Sequence, residues 1–246
     1  MRENYQWIYG SHAVLAVLKN DRRKVERFAV LSSQQSNHDK SITFAKKRGV
    51  RAELVNKNFF SDILGKDIVH QGIAVYASSL PRYFLEDLLC DTSSDAPCQI
   101  LILDHLSDVQ NIGAILRSSA VFDCRAIILS QNASPAPNAI MTKIASGAME
   151  HIPLVYVTNI AQAMKQLKIH GFWCIGLDER ADDMISQADL RRKCAFVIGS
   201  EGDGLRRLTR DMCDFCVQIP CSAKFRTLNA SHATTLALYE FTRQNT

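Results

Sequence analysis

Between Tyr9 and Ala77, stretches with apolar residues at helical spacing alternate with short runs rich in β-branched and aromatic residues. Residues 10–19 (GSHAVLAVLK) and 41–49 (SITFAKKRG) have the helical period, and 59–64 (FFSDIL) reads as a shorter helix. The runs 25–31 (VERFAVL), 50–55 (VRAELV) and 72–77 (GIAVYA) read as strands. Strands alternating with helices predict a small α/β unit. The rhythm breaks over residues 80–98, LPRYFLEDLLCDTSSDAPC, where two prolines and the polar run DTSSD predict a linker around one short helix, FLEDLL.

The pattern resumes with ILILDHL (100–106), an apolar run suited to a strand buried on both faces. A helix follows (NIGAILRSSAVF, 111–122), then a strand (RAIILS, 125–130) and turn chemistry at 134–138, then a helix (NAIMTKIASGAME, 138–150). HIPLVYV, WCIGLD, CAFVIGSE and VQIPC are further strands, and NASHATTLALYEFTR (229–243) is a closing helix. Six strands separated by helices predict a mainly parallel sheet covered on both faces. The expected organisation is a first domain over 1–79, a linker over 80–98 and a second domain over 99–246. No internal repeat is present.

Composition adds a class. The 246 residues are 47% hydrophobic and 22% charged, as in an ordinary globular chain. No apolar run approaches the ~18 residues of a membrane helix, and the start, MRENYQWIYGSHAVL, lacks the apolar core of a signal peptide. A cytoplasmic location and no membrane partner are therefore expected. The eight cysteines are dispersed, and the lone CxxC, Cys213 to Cys216, has no second cysteine or histidine pair at zinc spacing. Reduced, mostly buried thiols and no metal site are expected. Charge is uneven: residues 1–80 hold 13 Lys and Arg against 7 Asp and Glu, and the remainder 16 against 18. That basic first third points to a polyanionic partner.

In open α/β sheets ligands bind beyond the carboxyl ends of strands. Three polar segments follow three apolar strands here: Ser107 to Gly113 with Arg117 beyond, Ser200 to Gly204, and Cys221 to Arg226 leading to Thr227-Leu228-Asn229. Gly199, Gly202 and Gly204 permit close backbone approach, but GSEGDG lacks both the P-loop lysine and the dinucleotide glycine spacing. Glu201 within it suits a neutral or cationic ligand better than a phosphate. Arg117, in a largely apolar helix, is either a snorkelling or salt-bridged residue or a fork for a phosphate or carboxylate. Thr227 and Asn229 are natural helix N-caps. No Ser-His-Asp arrangement can be built on His70 or His151.

Together these segments resemble the three motifs of the SpoU/TrmH family of RNA ribose 2′-O-methyltransferases, in the SPOUT superfamily. Asn111-Ile112-Gly113 with Arg117 resembles the first, and Gly199 to Leu205 the second. Ile219-Pro220, Thr227-Leu228-Asn229, Ser231 and Tyr239-Glu240 resemble the third. Ser146-Gly147-Ala148 with Glu150 is similar to another recurring element. Gly10 to Val14 and His70 to Ile73 are similar to signatures of the RlmB-type branch, which carries an N-terminal RNA-binding domain related to ribosomal proteins and methylates a guanosine in the P loop of 23S rRNA. Two departures stand out: Val109 where the family often has proline, expected to loosen the loop, and Thr227 in place of serine.

The resemblance implies a SPOUT-type parallel sheet with a C-terminal trefoil knot, a homodimer, and S-adenosylmethionine held by backbone groups of the second and third motifs. Gly199, Ile219 and Leu228 are the implied cofactor contacts, with Ser200, Gly202 and Thr227 beside them. It also implies that Arg117 orients an RNA phosphate and stabilises charge on the 2′-oxygen, that Asn111 and Asn229 position the nucleotide or hold the loops, and that Glu201 pins Arg117 or Asn111. The general base stays open among Arg117, the substrate phosphate and a water. The alternatives are a tRNA ribose 2′-O-methyltransferase and a noncatalytic RNA-binding ribosome-assembly factor. A nucleotide-binding oxidoreductase is disfavoured by the missing fingerprint.

Overall fold

The computed structural model describes residues 4–92, 94–200, 202–222, 224 and 227–246, and the chain divides into two compact units. The first comprises residues 1–81 and 137–151, and the second 82–136 and 152–246.

The first unit carries a four-stranded sheet in the order β1-β4-β2-β3, built from β1 (Tyr5–Tyr9), β2 (Val25–Leu31), β3 (Ala52–Val55) and β4 (Ile73–Ser78). β4 runs antiparallel to β1 and β2, whereas β2 and β3 are parallel. The strand pattern over 5–9 escaped the sequence reading because only Ile8 and Tyr9 of it are buried. Side chains alternate across a strand, so Ile8, Phe28, Val30, Ile73 and Val75 point to one face, which α1 (Ser11–Lys19) and α2 (Asp39–Lys47) cover. Tyr9, Ala29, Leu31 and Ala74 point to the other, where Phe60 of α3 (Lys57–Leu64) packs.

Residues 137–151 bring a helix from the middle of the chain into this unit. The expected helix over 138–150 stops early: α6 spans Ala139–Ile144, Ser146 and Gly147 are left-handed (φ 53° and 95°), and a short 3₁₀ turn follows at Ala148–Glu150. A Cβ at Gly147 would lie 2.7 Å from that of Ala16, so the segment closes against α1 through a position open to glycine alone. Glu150 is then buried with Arg23. The guanidinium donates to both carboxylate oxygens at 2.7–3.2 Å and to the carbonyl of Ser78, and the Asn20 amide donates to Oε2 at 2.6 Å.

The second unit is built on a seven-stranded sheet in the order β7-β6-β5-β10-β8-β11-β9, with every pair parallel. Its strands are β5 (Cys98–Leu103), β6 (Ile127–Ser130), β7 (Leu154–Val157), β8 (Trp173–Leu177), β9 (Asp183–Met184), β10 (Lys193–Ile198) and β11 (Phe215–Gln218). β9, only two residues long, has no signal in the pattern. All six residues of β10 are buried, as a central parallel strand requires. Within the stretch read as a linker, α4 (Leu85–Asp91) packs Leu85, Leu88 and Leu89 into the core of this unit beside α7 (Ile160–Ile169). α5 (Val109–Val121) and α9 (Ala230–Asn245) lie against each other, and α8 (Arg207–Asp211) precedes β11.

The eight cysteines are free thiols, but only Cys124, Cys174 and Cys194 are fully buried, fewer than expected; Cys90 and Cys221 are exposed. Burial pushes these three buried thiols up to about 12. Among the described residues no helix is long and apolar enough to cross a membrane, and no group of three or more His, Cys, Asp or Glu could hold a metal ion.

Candidate functional site

Parallel strands bring their carboxyl ends to one edge, and the second unit collects its polar chemistry there. β5, β10, β8 and β11 are consecutive in the sheet, so the segments after them are neighbours.

After β5, Asp108 caps α5, its carboxylate accepting from the backbone N–H of Gln110 at 3.0 Å and of Asn111 at 3.3 Å. Val109 stands at the first helical position, where proline is favoured. The Asp108 cap holds that turn in the absence of proline. Asn111 is buried, and its Oδ1 accepts from Asn229 Nδ2 at 3.0 Å. Asn229 in turn caps α9, its Oδ1 accepting from Ser231 N at 2.8 Å and Ser231 Oγ at 2.6 Å. One asparagine therefore serves as helix cap and as the link between the first and third motif segments. Thr227, the other expected cap, is exposed and lies two residues before the cap, Asn229.

Arg117, two turns into α5, is exposed, and no hydrogen bond or ion pair to a described residue holds it. Of its two readings, the salt-bridged one finds no support among the described residues. Glu201, its expected partner, lies outside the described residues.

After β10, the chain folds back at once: Ser200 and Gly204 form a β-bridge, with Gly204 N donating to Ser200 O at 3.1 Å. A Cβ at Gly199 would lie 2.1 Å from the carbonyl carbon of Gly204, so no side chain fits there. Gly202 and Gly204 are left-handed. Ser200 and Ile219 are half-buried, and Leu228 is 37% exposed, an apolar side chain left at the same strand-end edge.

Sequence reasoning missed the ion pairs that hold this edge. Asp104, fully buried at the end of β5, accepts from Arg206 Nε at 3.0 and 3.1 Å and from Nη2 at 2.6 Å, tying the second-motif loop to β5. Asp178, at the end of β8, is paired with Arg180 at 3.1 Å and Arg210 at 3.3 Å. Burial works to raise the Asp178 carboxyl, but the Arg180 hydrogen bonds and the Arg210 charge together hold it below the usual carboxylate range. The available signal was an aspartate closing an otherwise apolar strand, as in ILILD and WCIGLD. The CxxC thiols lie beneath: Cys216 and Cys213 Sγ would stand 2.8 and 3.1 Å from a Cβ on Gly176. Burial, then Cys216, pushes the Cys213 thiol up.

Residues 99–239 match the SpoU rRNA Methylase family, and residues 7–83 match a family model described as RNA 2′-O ribose methyltransferase substrate binding. The chain is 35% identical over 99% of its length to an uncharacterized tRNA/rRNA methyltransferase of Synechocystis, spanning 64% of that relative. It is equally 35% identical, over 99% of its length and 98% of the relative's, to the 23S rRNA (guanosine-2′-O-)-methyltransferase RlmB of Xanthomonas campestris. Among solved structures, the SpoU methyltransferase AviRb of Streptomyces viridochromogenes, in complex with AdoMet, shares the fold. Its TM-score is 0.81 at 20% identity, over 97% of this chain and 89% of that one. By the family match and the near-full-length relatives, the chain belongs to the SpoU rRNA methylase family.

Proposed function

We propose that the chain methylates a ribose 2′-hydroxyl of RNA, a guanosine of 23S rRNA, with S-adenosylmethionine as methyl donor. The observation that carries this reading is the Asn229–Asn111 hydrogen bond, which joins two of the three family motifs at the strand-end edge where the third also lies. Relatives named for this reaction at 35% identity supply the substrate.

The donor set fits the cofactor. Backbone groups at Gly199, Ser200 and Gly202 lie in a tight loop, and Ile219, Thr227 and Leu228 offer backbone and apolar surface at the same edge. When bound, S-adenosylmethionine supplies a methyl group on a positively charged sulfur. Arg117 presents a guanidinium, which stays protonated in proteins, so its part is electrostatic: it holds the RNA phosphate and stabilises negative charge growing on the 2′-oxygen, whose proton passes to the substrate phosphate or to a water. Asn111 and Asn229 keep the two loops in register for in-line attack, and the family motif assigns Glu201 the task of pinning Arg117 or Asn111. No metal enters.

The roles follow the family models: substrate binding by residues 7–83 and methyl transfer by residues 99–239. A trefoil knot is supported by the path of the last segments. β10 inserts between β5 and β8, and after β11, beyond β8, the chain returns to bond Asn111 at the start of α5. A homodimer is supported by an exposed stripe on α5 and α9: Val121 (70% exposed), Leu236 (42%) and Tyr239 (51%), near Arg117 in α5. A cytoplasmic location follows from an rRNA substrate.

The test is incubation of the protein with S-adenosylmethionine and unmodified 23S rRNA, digestion to nucleosides and mass spectrometry. The expected product is 2′-O-methylguanosine, lost in Arg117→Ala. A different methylated nucleoside would overturn the substrate, and no methylation of rRNA or tRNA would overturn the activity.

A further inference from the structure

Among the described residues, the second face of the four-stranded sheet is only half covered. Where Tyr9, Ala74 and Ala29 align, Phe60 of α3 closes it. One pleat further along the same face, the aligned residues are Trp7 of β1, Tyr76 of β4 and Arg27 of β2, followed by Tyr5. Here α3 contributes Phe59 at the margin, and the three β1 and β4 rings remain half-buried. They form a continuous row: Tyr5 to Tyr76 at 5.6 Å and 32°, Tyr76 to Trp7 at 5.2 Å and 42°, and Trp7 edge-on to Phe59 at 5.8 Å.

Arg27 closes one end of the row. Its guanidinium lies 5.3 Å from the Trp7 ring and 5.5 Å from Phe59, and Glu53 accepts from it twice, at 3.0 and 2.7 Å. The pair is half-exposed and adds little stability, but two bonds fix the guanidinium plane against the rings. Half-buried aromatic rings set side by side, with a guanidinium among them, are the equipment for stacking unpaired bases, which present a π-face whatever their sequence. The basic excess of residues 1–80 supplies attraction for the accompanying phosphates.

We propose that Tyr5, Trp7 and Tyr76 form a stacking shelf for unpaired nucleobases of the RNA substrate, with Arg27 as its cationic edge. The proposal rests on the reading of the chain as an RNA methyltransferase only for the identity of the RNA. It predicts selection of single-stranded over duplex RNA, because paired bases bury their π-faces within the helix.

The test uses the full chain in a Trp173→Phe background, which leaves Trp7 as the sole indole. Hexa-adenylate is titrated against a blunt duplex of equal length while Trp7 fluorescence is followed. Quenching by the single strand and not by the duplex is expected, with affinity reduced about ten-fold by Tyr76→Leu. Tyr76→Phe, which keeps the ring, restores it, and a thermal melt of each variant checks folding. With 23S rRNA as substrate, Tyr76→Leu raises KM and leaves kcat unchanged. Trp7 unmoved by single strands, or quenched equally by duplex, would overturn the shelf, as would a Trp7 signal that follows protein concentration alone. An absent shelf signal with 2′-O-methylguanosine still formed leaves the activity standing. Quenching without methylation of any RNA leaves the shelf standing and overturns the activity.

Discussion

The two sheets differ in where they can carry polar groups. In the seven-stranded parallel sheet the strand interiors are buried on both faces, and charge gathers beyond the strand ends at Asp104, Asp178 and the arginines they hold. In the mixed four-stranded sheet one face is half open, and polar and aromatic side chains stand on the strands themselves. A parallel sheet needs crossovers that cover its faces, so its polar groups collect at the edge where loops converge. An antiparallel edge strand such as β1 can leave a face to solvent. The first arrangement suits a compact reaction site, the second a broad contact with a chain-like ligand.

The largest expected effect lies in the small unit. Glu150→Ala leaves Arg23 as an uncompensated buried charge, the ion pair being 1% exposed on both sides. The expected loss is about 3–5 kcal/mol, read as a lower urea midpoint. Replacing Arg27 in its half-exposed pair with Glu53 costs about 0–1 kcal/mol. Similar losses at both positions would erase the contrast.

Next comes Arg117→Ala, expected to lower kcat for methylation about 100-fold or more with the unfolding midpoint unchanged, since the side chain is exposed. A lowered midpoint would mean that Arg117 holds the fold instead. Asn229→Ala removes a helix cap and the bond to Asn111, and about 1–2 kcal/mol of stability is expected to go with them. Asn229→Asp keeps the cap oxygen but loses the donor to Asn111, so it recovers only the cap's share of the stability and leaves methylation impaired.

The smallest effect is a pH dependence at His70. Burial, then the charges of Lys143 and Lys57, hold its pKa below the ordinary 6.5, and its Nδ1 accepts from Gly72 N at 3.0 Å, which only an unprotonated nitrogen can do. The unfolded chain therefore binds the proton first. Stability is fully present above about pH 6.5 and falls as pH drops through the depressed value. The measurement is the difference between urea midpoints at pH 7.5 and 5.5; His70→Gln should show a smaller difference than the parent.

Local signals were strong wherever periodicity met burial. The runs ILIL and CAFVI lie in strands as the apolar pattern put them, because a strand buried on both faces has to be apolar throughout, whereas β5 starts at Cys98 and stops at Leu103, short of the expected Leu106. β1 and β9 were hidden for opposite reasons, one by its half-open face and the other by its length. The helix over 138–150 was read too long because helical spacing continues through Ser146 and Gly147, whereas packing against Ala16 turns both left-handed.

By itself the sequence determined the buried strands and amphipathic helices, the basic first third and the three motif segments, since each depends on residues close together along the chain. Tertiary structure alone decided that Asn229 meets Asn111 across 118 residues, that Arg206 locks onto Asp104, and that residues 137–151 join the first unit. Those choices depend on strand order and on which buried charge finds a partner, and neither leaves a periodic trace along the chain.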